Sequence, residues 1–138
     1  MIKEIVKDIN ILSQKSERFE FGKDDYLIQD MIDTAEHNKN NCLGLACVQI
    51  GVPKKLIVVR NGDKFIPFIN PMIVQKSNQT YTATERCLSL DGERETKRHK
   101  GIKVIYTTKN NKTKCESFTG LIAQIIQHEV DHLNGVLI

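Results

Sequence analysis

Apolar side chains recur at helical spacing in a first stretch near the N-terminus. After Asp24 and Asp25, either of which can cap a helix, apolar residues fall on one side of the chain up to about His37. The polar run 38–41 then ends the pattern. This stretch predicts an amphipathic N-terminal helix. The segment 2–9 shows the same spacing over a shorter length and is read either as a helix or as an arm lying across a sheet.

A second helical pattern covers residues 121–138. Its apolar positions follow the 3.6-residue period, it contains no proline, and Asn134 with Gly135 supplies a left-handed stop. Thr119 or Gly120 can cap its start. We therefore predict that the chain ends in a helix with a strongly apolar side.

Between the two helices, short apolar runs separated by turn residues predict strands. An apolar segment at 42–51 is interrupted only by Gln49, whose amide must hydrogen-bond either to the backbone or within a site. Asn110 and Asn111 indicate a hairpin turn. The further strands are expected near 56–59, 65–70, 72–74, 82–90, 102–108 and 114–118. Because no helical segment separates them, the order favours an α+β domain spanning 1–138, with antiparallel or mixed sheets around the C-terminal helix and one N-terminal helix.

Composition narrows the possibilities further. The 138 residues carry a net charge of +3, and the basic run 94–103 contains acids and no aromatics, which is typical of a solvated surface rather than a nucleic-acid site. No apolar run is long enough to cross a bilayer, and the N-terminus does not resemble a signal peptide. Four cysteines without a close pair indicate free thiols or metal ligands. We expect a cytoplasmic monomer with no membrane and no specific nucleic-acid partner.

The C-terminal helix contains His128-Glu129-Val130-Asp131-His132. Histidines four residues apart lie on one face of a helix about one turn apart, so both can bind one metal ion, and Glu129 beside them can act as a base. Two structural histidines on a core helix are the alternative. A catalytic site of this type needs a third protein ligand, and His37, His99, a cysteine or a carboxylate can supply it. Cys87 is the favoured candidate because it stands between polar neighbours where a strand leads to a turn.

Three segments in order along the chain resemble the three motifs of the peptide deformylases. These segments are Gly44-Leu45-Ala46-Cys47-Val48-Gln49, Glu85-Arg86-Cys87-Leu88-Ser89 and Gln127-His128-Glu129-Val130-Asp131-His132. The resemblance covers nearly the whole chain. It implies a metal-dependent hydrolase that removes the N-formyl group from the initiator methionine of nascent polypeptides and releases formate, with possible proximity to the ribosome.

The resemblance also implies a role for each matching residue. Cys87, His128 and His132 would hold one divalent metal ion, and Glu129 would move the proton between water and the leaving amine. The metal is expected to be Fe(II) in the cell, with Zn, Ni or Co possible in purified protein. The Gln49 side chain and the Leu88 backbone N–H would stabilise the oxyanion.

The substrate side of the site is predicted from four residues. Gly44 and Arg86 belong to the first two motifs, and Gln124 and Ile125 lie one helical turn before His128 on the same face. Gln124 is expected to make the pocket for the first side chain more polar. Arg86 replaces the glycine of the family motif, and it can lower the thiol pKa, contact the peptide backbone or narrow the pocket.

The sequence departs from the family pattern in two further ways. Cys42 and Cys47 stand where the family has glycine and alanine, and the chain ends soon after the third motif, which puts substrate breadth in question.

Two rival functions remain open. One is an endopeptidase built on the two histidines, and the other is a catalytically weak deformylase-like protein that binds peptides or nascent chains. Asp131 is predicted to point away from the metal.

Overall fold

The structure, a computed structural model, describes residues 1–138. The elements are α1 (Ile9–Leu12), α2 (Tyr26–His37), β1 (Gly44–Ala46), a 3₁₀ turn (Cys47–Ile50), β2 (Leu56–Asn61), β3 (Lys64–Lys76), β4 (Thr80–Cys87), β5 (Leu90–His99), β6 (Gly101–Thr107), β7 (Thr113–Thr119) and α3 (Gly120–Leu133). Five strands form one antiparallel sheet in the order β1-β2-β3-β6-β7, and β4 pairs with β5 as a separate two-stranded sheet. The predicted α+β class is confirmed. None of the helices combines the length and hydropathy needed to cross a bilayer.

Helices α2 and α3 pack on opposite faces of the larger sheet. Successive side chains of a strand point to opposite faces, and in β2 Leu56 and Val58 join the core beneath α2, while Ile57 and Val59 join the core beneath α3. All four side chains are completely buried. This double coverage explains why β2 reads as a continuous apolar run, and each such side chain contributes about 1.5–3 kcal/mol by burial.

The hairpin of β4 and β5 differs from the prediction. A single strand over 82–90 was expected, but the chain leaves β4 at Cys87, turns, and returns along β5 with Thr80 opposite His99. The prediction was wrong because β5 is almost entirely polar and lacks the alternation that indicates a strand. The side of β5 that faces the candidate site carries polar groups instead of apolar ones.

Two further predictions need correction, and one alternative that the sequence left open is resolved. Gln49 lies on the 3₁₀ turn and not in a strand. The two strands expected around Pro71 are one strand, β3, whose pairing with β6 is interrupted between Ile69 and Met72, where Asn70 has a φ of 49°. Proline has no N–H to donate to the ladder, so the strand continues past it through this irregularity. The N-terminal residues lie as an arm, because helix forms only over Ile9–Leu12.

The predicted helix ends are confirmed, but the predicted side-chain caps are not. Asp25 precedes α2 without a side-chain bond to it and accepts from the backbone of Gly22, and Thr119 likewise makes no side-chain cap on α3. The stop after α3 is confirmed, since Gly135 has a φ of 76°. A Cβ at Gly135 would overlap the Ser13 carbonyl oxygen, so glycine is required both by its conformation and by space.

Candidate metal centre

The three predicted metal ligands come together at one end of the hairpin. His128 and His132 project from adjacent turns of α3, and their Nε2 atoms lie 3.1 Å apart. Cys87, the last residue of β4, places its Sγ 3.5 Å from His132 Nε2. The three donor atoms lie within 4.8 Å of one another. His99, a rival for the third ligand, instead places its Nδ1 2.7 Å from the Ser77 carbonyl oxygen.

The donor set fits a divalent transition metal. Two buried imidazole nitrogens and a sulfur atom face one another, and their lone pairs repel unless a proton or a cation lies between them. Sulfur with two imidazoles is a borderline-soft set that suits Zn, Fe(II), Ni or Co. Three protein ligands leave a further position open, which is typical of catalytic metal sites rather than structural ones.

Sequence reasoning missed Arg98, which orients one of the ligands through Glu85. The buried Arg98 guanidinium donates two hydrogen bonds to the Glu85 carboxylate, at 2.7 and 2.9 Å, and a third to Asp131 Oδ2 at 2.6 Å. Glu85 Oε1 lies 2.7 Å from His128 Nδ1. Because a carboxylate only accepts, this ring nitrogen carries a proton and Nε2 is turned towards the metal ligands. Asp131 contacts Arg98 and not the ligands.

The assumption that 94–103 is an ordinary solvated patch was therefore wrong for Arg98. A hydropathy pattern cannot distinguish a buried arginine from an exposed one. Arg98 meets Glu85 only because β4 and β5 form a hairpin. That hairpin was not predicted, so no sequence signal placed the two side chains together. Burial alone would raise the pKa of Glu85, but the hydrogen bonds from Arg98 and His128 outweigh it and lower that pKa to about 2. The carboxylate is therefore charged at neutral pH and able to hold the ring.

Glu129 is buried beside the ligands without a hydrogen bond to its Oε1 atom. Burial raises the pKa of this carboxyl to about 7, so it can both take and release a proton near neutral pH. The helix reaches this position because residue 44 has no side chain. A Cβ on Gly44 would lie 2.7 Å from Ile125 Cγ2 and 2.9 Å from Glu129 Oε2. Gly44 is thus needed for the close approach of β1 to α3.

The Gln49 amide satisfies the backbone with one atom and faces the site with the other. Its Oε1 accepts from the Ala46 backbone N–H at 2.9 Å, and its Nε2 lies 3.2 Å from both Cys87 Sγ and Ser89 Oγ. The two readings left open by the sequence are therefore both correct. Ser89 was not predicted, although it follows Cys87 closely in the chain. Both amide hydrogens point to Cys87 Sγ and Ser89 Oγ, so an oxygen atom bound next to Cys87 would accept one of them in place of these contacts.

A cavity of about 880 Å³ opens onto these residues. Arg86 also borders it, but its side chain is 78% exposed and pairs with Glu93 on β5, with 2.7 Å between Nη2 and Oε1. Leu88, on the turn between β4 and β5, is half-buried at the same wall. His132 lies fully buried behind the cavity. The predicted residues that line it are Gly44, Gln49, Arg86, Cys87, Leu88, Gln124, Ile125, His128 and Glu129.

Comparisons with known proteins agree with this geometry. The sequence model of the family described as polypeptide deformylase matches residues 2–138. The peptide deformylase of Clostridium beijerinckii is 48% identical, with both chains covered completely. The crystal structure of the Thermotoga maritima peptide deformylase superimposes with a TM-score of 0.90 at 31% identity, covering 99% of this chain and 95% of that one. The Acinetobacter baumannii class I type b peptide deformylase with Met-Ala-Ser bound gives 0.89 at 28% identity, covering 99% and 97%.

Proposed function

The chain belongs to the polypeptide deformylase family, and from that premise we infer that it hydrolyses the N-formyl group of formylmethionyl peptides at the centre described above. The observation that carries this conclusion is the convergence of Cys87, His128 and His132 with the buried Glu129 at one cavity. Water adds to the formyl carbon, the C–N bond breaks, and the products are formate and a free amino terminus. The reported relatives are all named as deformylases, so neither rival function is supported.

We propose that Cys87, His128 and His132 hold one divalent metal ion, Fe(II) in the cell. When bound there, such an ion supplies Lewis acidity to the formyl oxygen and increases the acidity of water. The protein contributes the orientation of the ligands, since Arg98 fixes Glu85 and Glu85 fixes the His128 ring. Contacts of this kind typically affect metal affinity about 10- to 100-fold.

Glu129 is proposed to act first as a base and then as an acid. Its carboxylate takes a proton from the attacking water and afterwards gives that proton to the departing amine. Burial raises the pKa of Glu129 above that of an exposed carboxyl, which suits a group that takes a proton from water and later gives it up. The unpartnered Oε1 supports this role, since no other protein group competes for the position of the proton.

The oxyanion formed by this attack is proposed to accept hydrogen bonds from Gln49 Nε2 and from the Leu88 backbone N–H. The Ala46 backbone holds the Gln49 amide in one orientation, so its donors are fixed before the reaction. Losing one donor of this kind typically costs about 3 kcal/mol of transition-state stabilisation. Gly44, Arg86, Gln124 and Ile125 are proposed to border the peptide, with Arg86 narrowing the mouth of the cavity.

We propose that the chain acts as a single domain over 1–138 and as a monomer. Formylated initiator methionine occurs on newly made polypeptides, so the proposed place of action is the cytoplasm, near the ribosome. The substrate class is therefore nascent peptides rather than internal peptide bonds.

The test is formate release from formyl-Met-Ala-Ser by anaerobically prepared protein, before and after chelation and after adding Fe(II), Ni(II) or Zn separately. Acetyl-Met-Ala-Ser, which carries an extra methyl group at the reacting carbon, is the control substrate. We expect turnover that chelation removes and a divalent metal restores. Formate release that persists unchanged in metal-free protein, or no turnover from fully loaded protein, would contradict the proposal.

A further inference from the structure

A tyrosine on β4 holds a glutamine of α3 at the cavity wall. The Tyr81 hydroxyl donates to Gln124 Oε1 at 2.9 Å, and both side chains are half-buried. Gln124 lines the cavity one helical turn before His128, between Leu121 and Ile125 along the same wall. A polar amide therefore stands in a part of the wall whose other side chains are apolar.

The contact with Tyr81 determines which end of the amide is available to a ligand. Because Oε1 is already occupied by the phenol, the two hydrogens of Nε2 remain. Nε2 donates to no protein acceptor and is not fully buried, so it is accessible from the cavity or the solvent. The wall thus presents free hydrogen-bond donors at this position.

The position of Gln124 fits the expected course of a substrate's first side chain. The formyl group is bonded to the amino nitrogen of the first residue, so when it lies at the ligands, the side chain starts beside them. Gln124 lies about 6 Å from His128 along the helix axis, which matches the depth that a methionine side chain reaches. With the formyl group at the ligands, the Nε2 donors would therefore lie near the sulfur end of that side chain rather than at the reacting carbon.

We propose that Tyr81 and Gln124 form a specificity element that admits formyl peptides whose first residue is methionine sulfoxide as well as methionine. This inference rests on the proposed deformylase function and adds a substrate class to it. A thioether sulfur is only a weak acceptor, whereas the sulfoxide oxygen is a strong one and makes the side chain polar. An entirely apolar wall would leave that oxygen buried without a donor, which is the costly arrangement. The Gln124 amide removes this penalty.

A purely structural role for the pair makes a different prediction. Four other residues of the hairpin already contact α3, namely Glu85, Cys87, Arg98 and His99. If the Tyr81 contact only added to them, its loss would lower thermal stability and affect all substrates equally. A specificity element instead changes the ratio between two substrates.

The experiment measures kcat/KM for formyl peptides of the form X-Ala-Ser, where X is methionine, methionine sulfoxide or norleucine. The wild type is compared with Gln124→Leu and Tyr81→Phe, and Gln75→Leu on the exposed part of β3 is the matched control. We expect Gln124→Leu to lower the sulfoxide-to-methionine ratio about tenfold and to favour norleucine. Tyr81→Phe frees the amide to rotate and should lower the ratio about two- to threefold. Gln75→Leu should leave it unchanged.

Binding of the deformylated tripeptides Met-Ala-Ser and Met(O)-Ala-Ser, measured by calorimetry, separates this inference from the proposed function. Binding requires no turnover, so a failure of catalysis leaves the pocket testable. Equal ratios in the wild type and Gln124→Leu, or rejection of both sulfoxide peptides by the wild type, would overturn the inference. If Gln124→Leu does not fold, Tyr81→Phe gives the same comparison, and an unchanged ratio there would overturn it as well.

Discussion

Replacement of Arg98 by methionine tests whether Arg98, acting through Glu85, sets the orientation of the His128 ring. The change keeps much of the side-chain volume but removes the guanidinium, so the buried Glu85 carboxylate loses two hydrogen bonds and keeps only His128. Asp131 also loses its partner, but its side chain is 32% exposed and can return to water. The cost should therefore come mainly from Glu85.

Removing one partner of a buried ion pair typically costs about 3–5 kcal/mol, because the remaining charge is left uncompensated. Arg86→Met is the matched control, since Arg86 also pairs with a carboxylate at 2.7 Å but is largely exposed. An exposed pair of this kind contributes about 0–1 kcal/mol. We expect the free energy of unfolding to fall several times more in Arg98→Met than in Arg86→Met.

The difference should also depend on pH. The pKa of Glu85 is lowered to about 2 in the folded chain, so the stability that this carboxylate contributes is present above its ordinary pKa of 4.5 and is lost as pH falls towards 2. Without Arg98 its pKa should rise. The gap in stability between the wild type and Arg98→Met should therefore be full near pH 7, smaller at pH 4, and smallest as pH approaches 2.

Urea unfolding of the metal-free proteins at pH 7 and pH 4 measures these quantities, and a chelator competition measures metal affinity at pH 7. Arg98→Met should bind the metal about 10- to 100-fold more weakly, since Glu85 no longer holds His128 firmly. Equal losses of stability in Arg98→Met and Arg86→Met, or unchanged metal affinity, would refute the reasoning.

Gly44→Ala should lower the free energy of unfolding by about 1–3 kcal/mol and reduce kcat/KM, because its Cβ would lie within 3 Å of two side chains of α3. Gly101→Ala, whose Cβ would have no neighbour nearer than 3.6 Å, should be close to neutral in both assays. Similar effects of the two changes would contradict this. Iodoacetamide at pH 8 should label the exposed Cys115 in the native protein and spare Cys42 and Cys47, because burial raises the pKa of both thiols to about 12. Mass spectrometry after limited reaction measures the labelling, and rapid labelling of Cys42 and Cys47 would contradict this prediction.

The two long helices and the pairing of two histidines on α3 were predictable because their signals are local. Helical spacing identified α2 and α3, and the spacing of His128 and His132 placed both imidazoles on one face. Cys87 was only one of several candidates until the order of the three motifs was considered. Its position depends on a hairpin turn that brings β4 against α3.

The parts that were missed depend on contacts between distant segments. Arg98 reads as a surface residue in a basic run, and only the pairing of β4 with β5 shows that it lies opposite α3 and beside Glu85. Gln49 was recognised as unusual, but its place on a 3₁₀ turn directly after β1 carried no signal in the apolar run. Tyr81 carries no signal at all in the sequence.

The most direct test of the central claim compares Glu129→Gln with Asp131→Asn in formate release from formyl-Met-Ala-Ser, with metal content measured in the same samples. Both changes neutralise an acid on α3, but only Glu129 lies at the ligands with an unpartnered oxygen. Glu129→Gln should lose about 10²- to 10⁴-fold in kcat while retaining the metal, and Asp131→Asn should lose less than about tenfold. Substantial turnover by metal-loaded Glu129→Gln, or an equal loss in both variants, would contradict the assignment of Glu129 as the group that moves the proton.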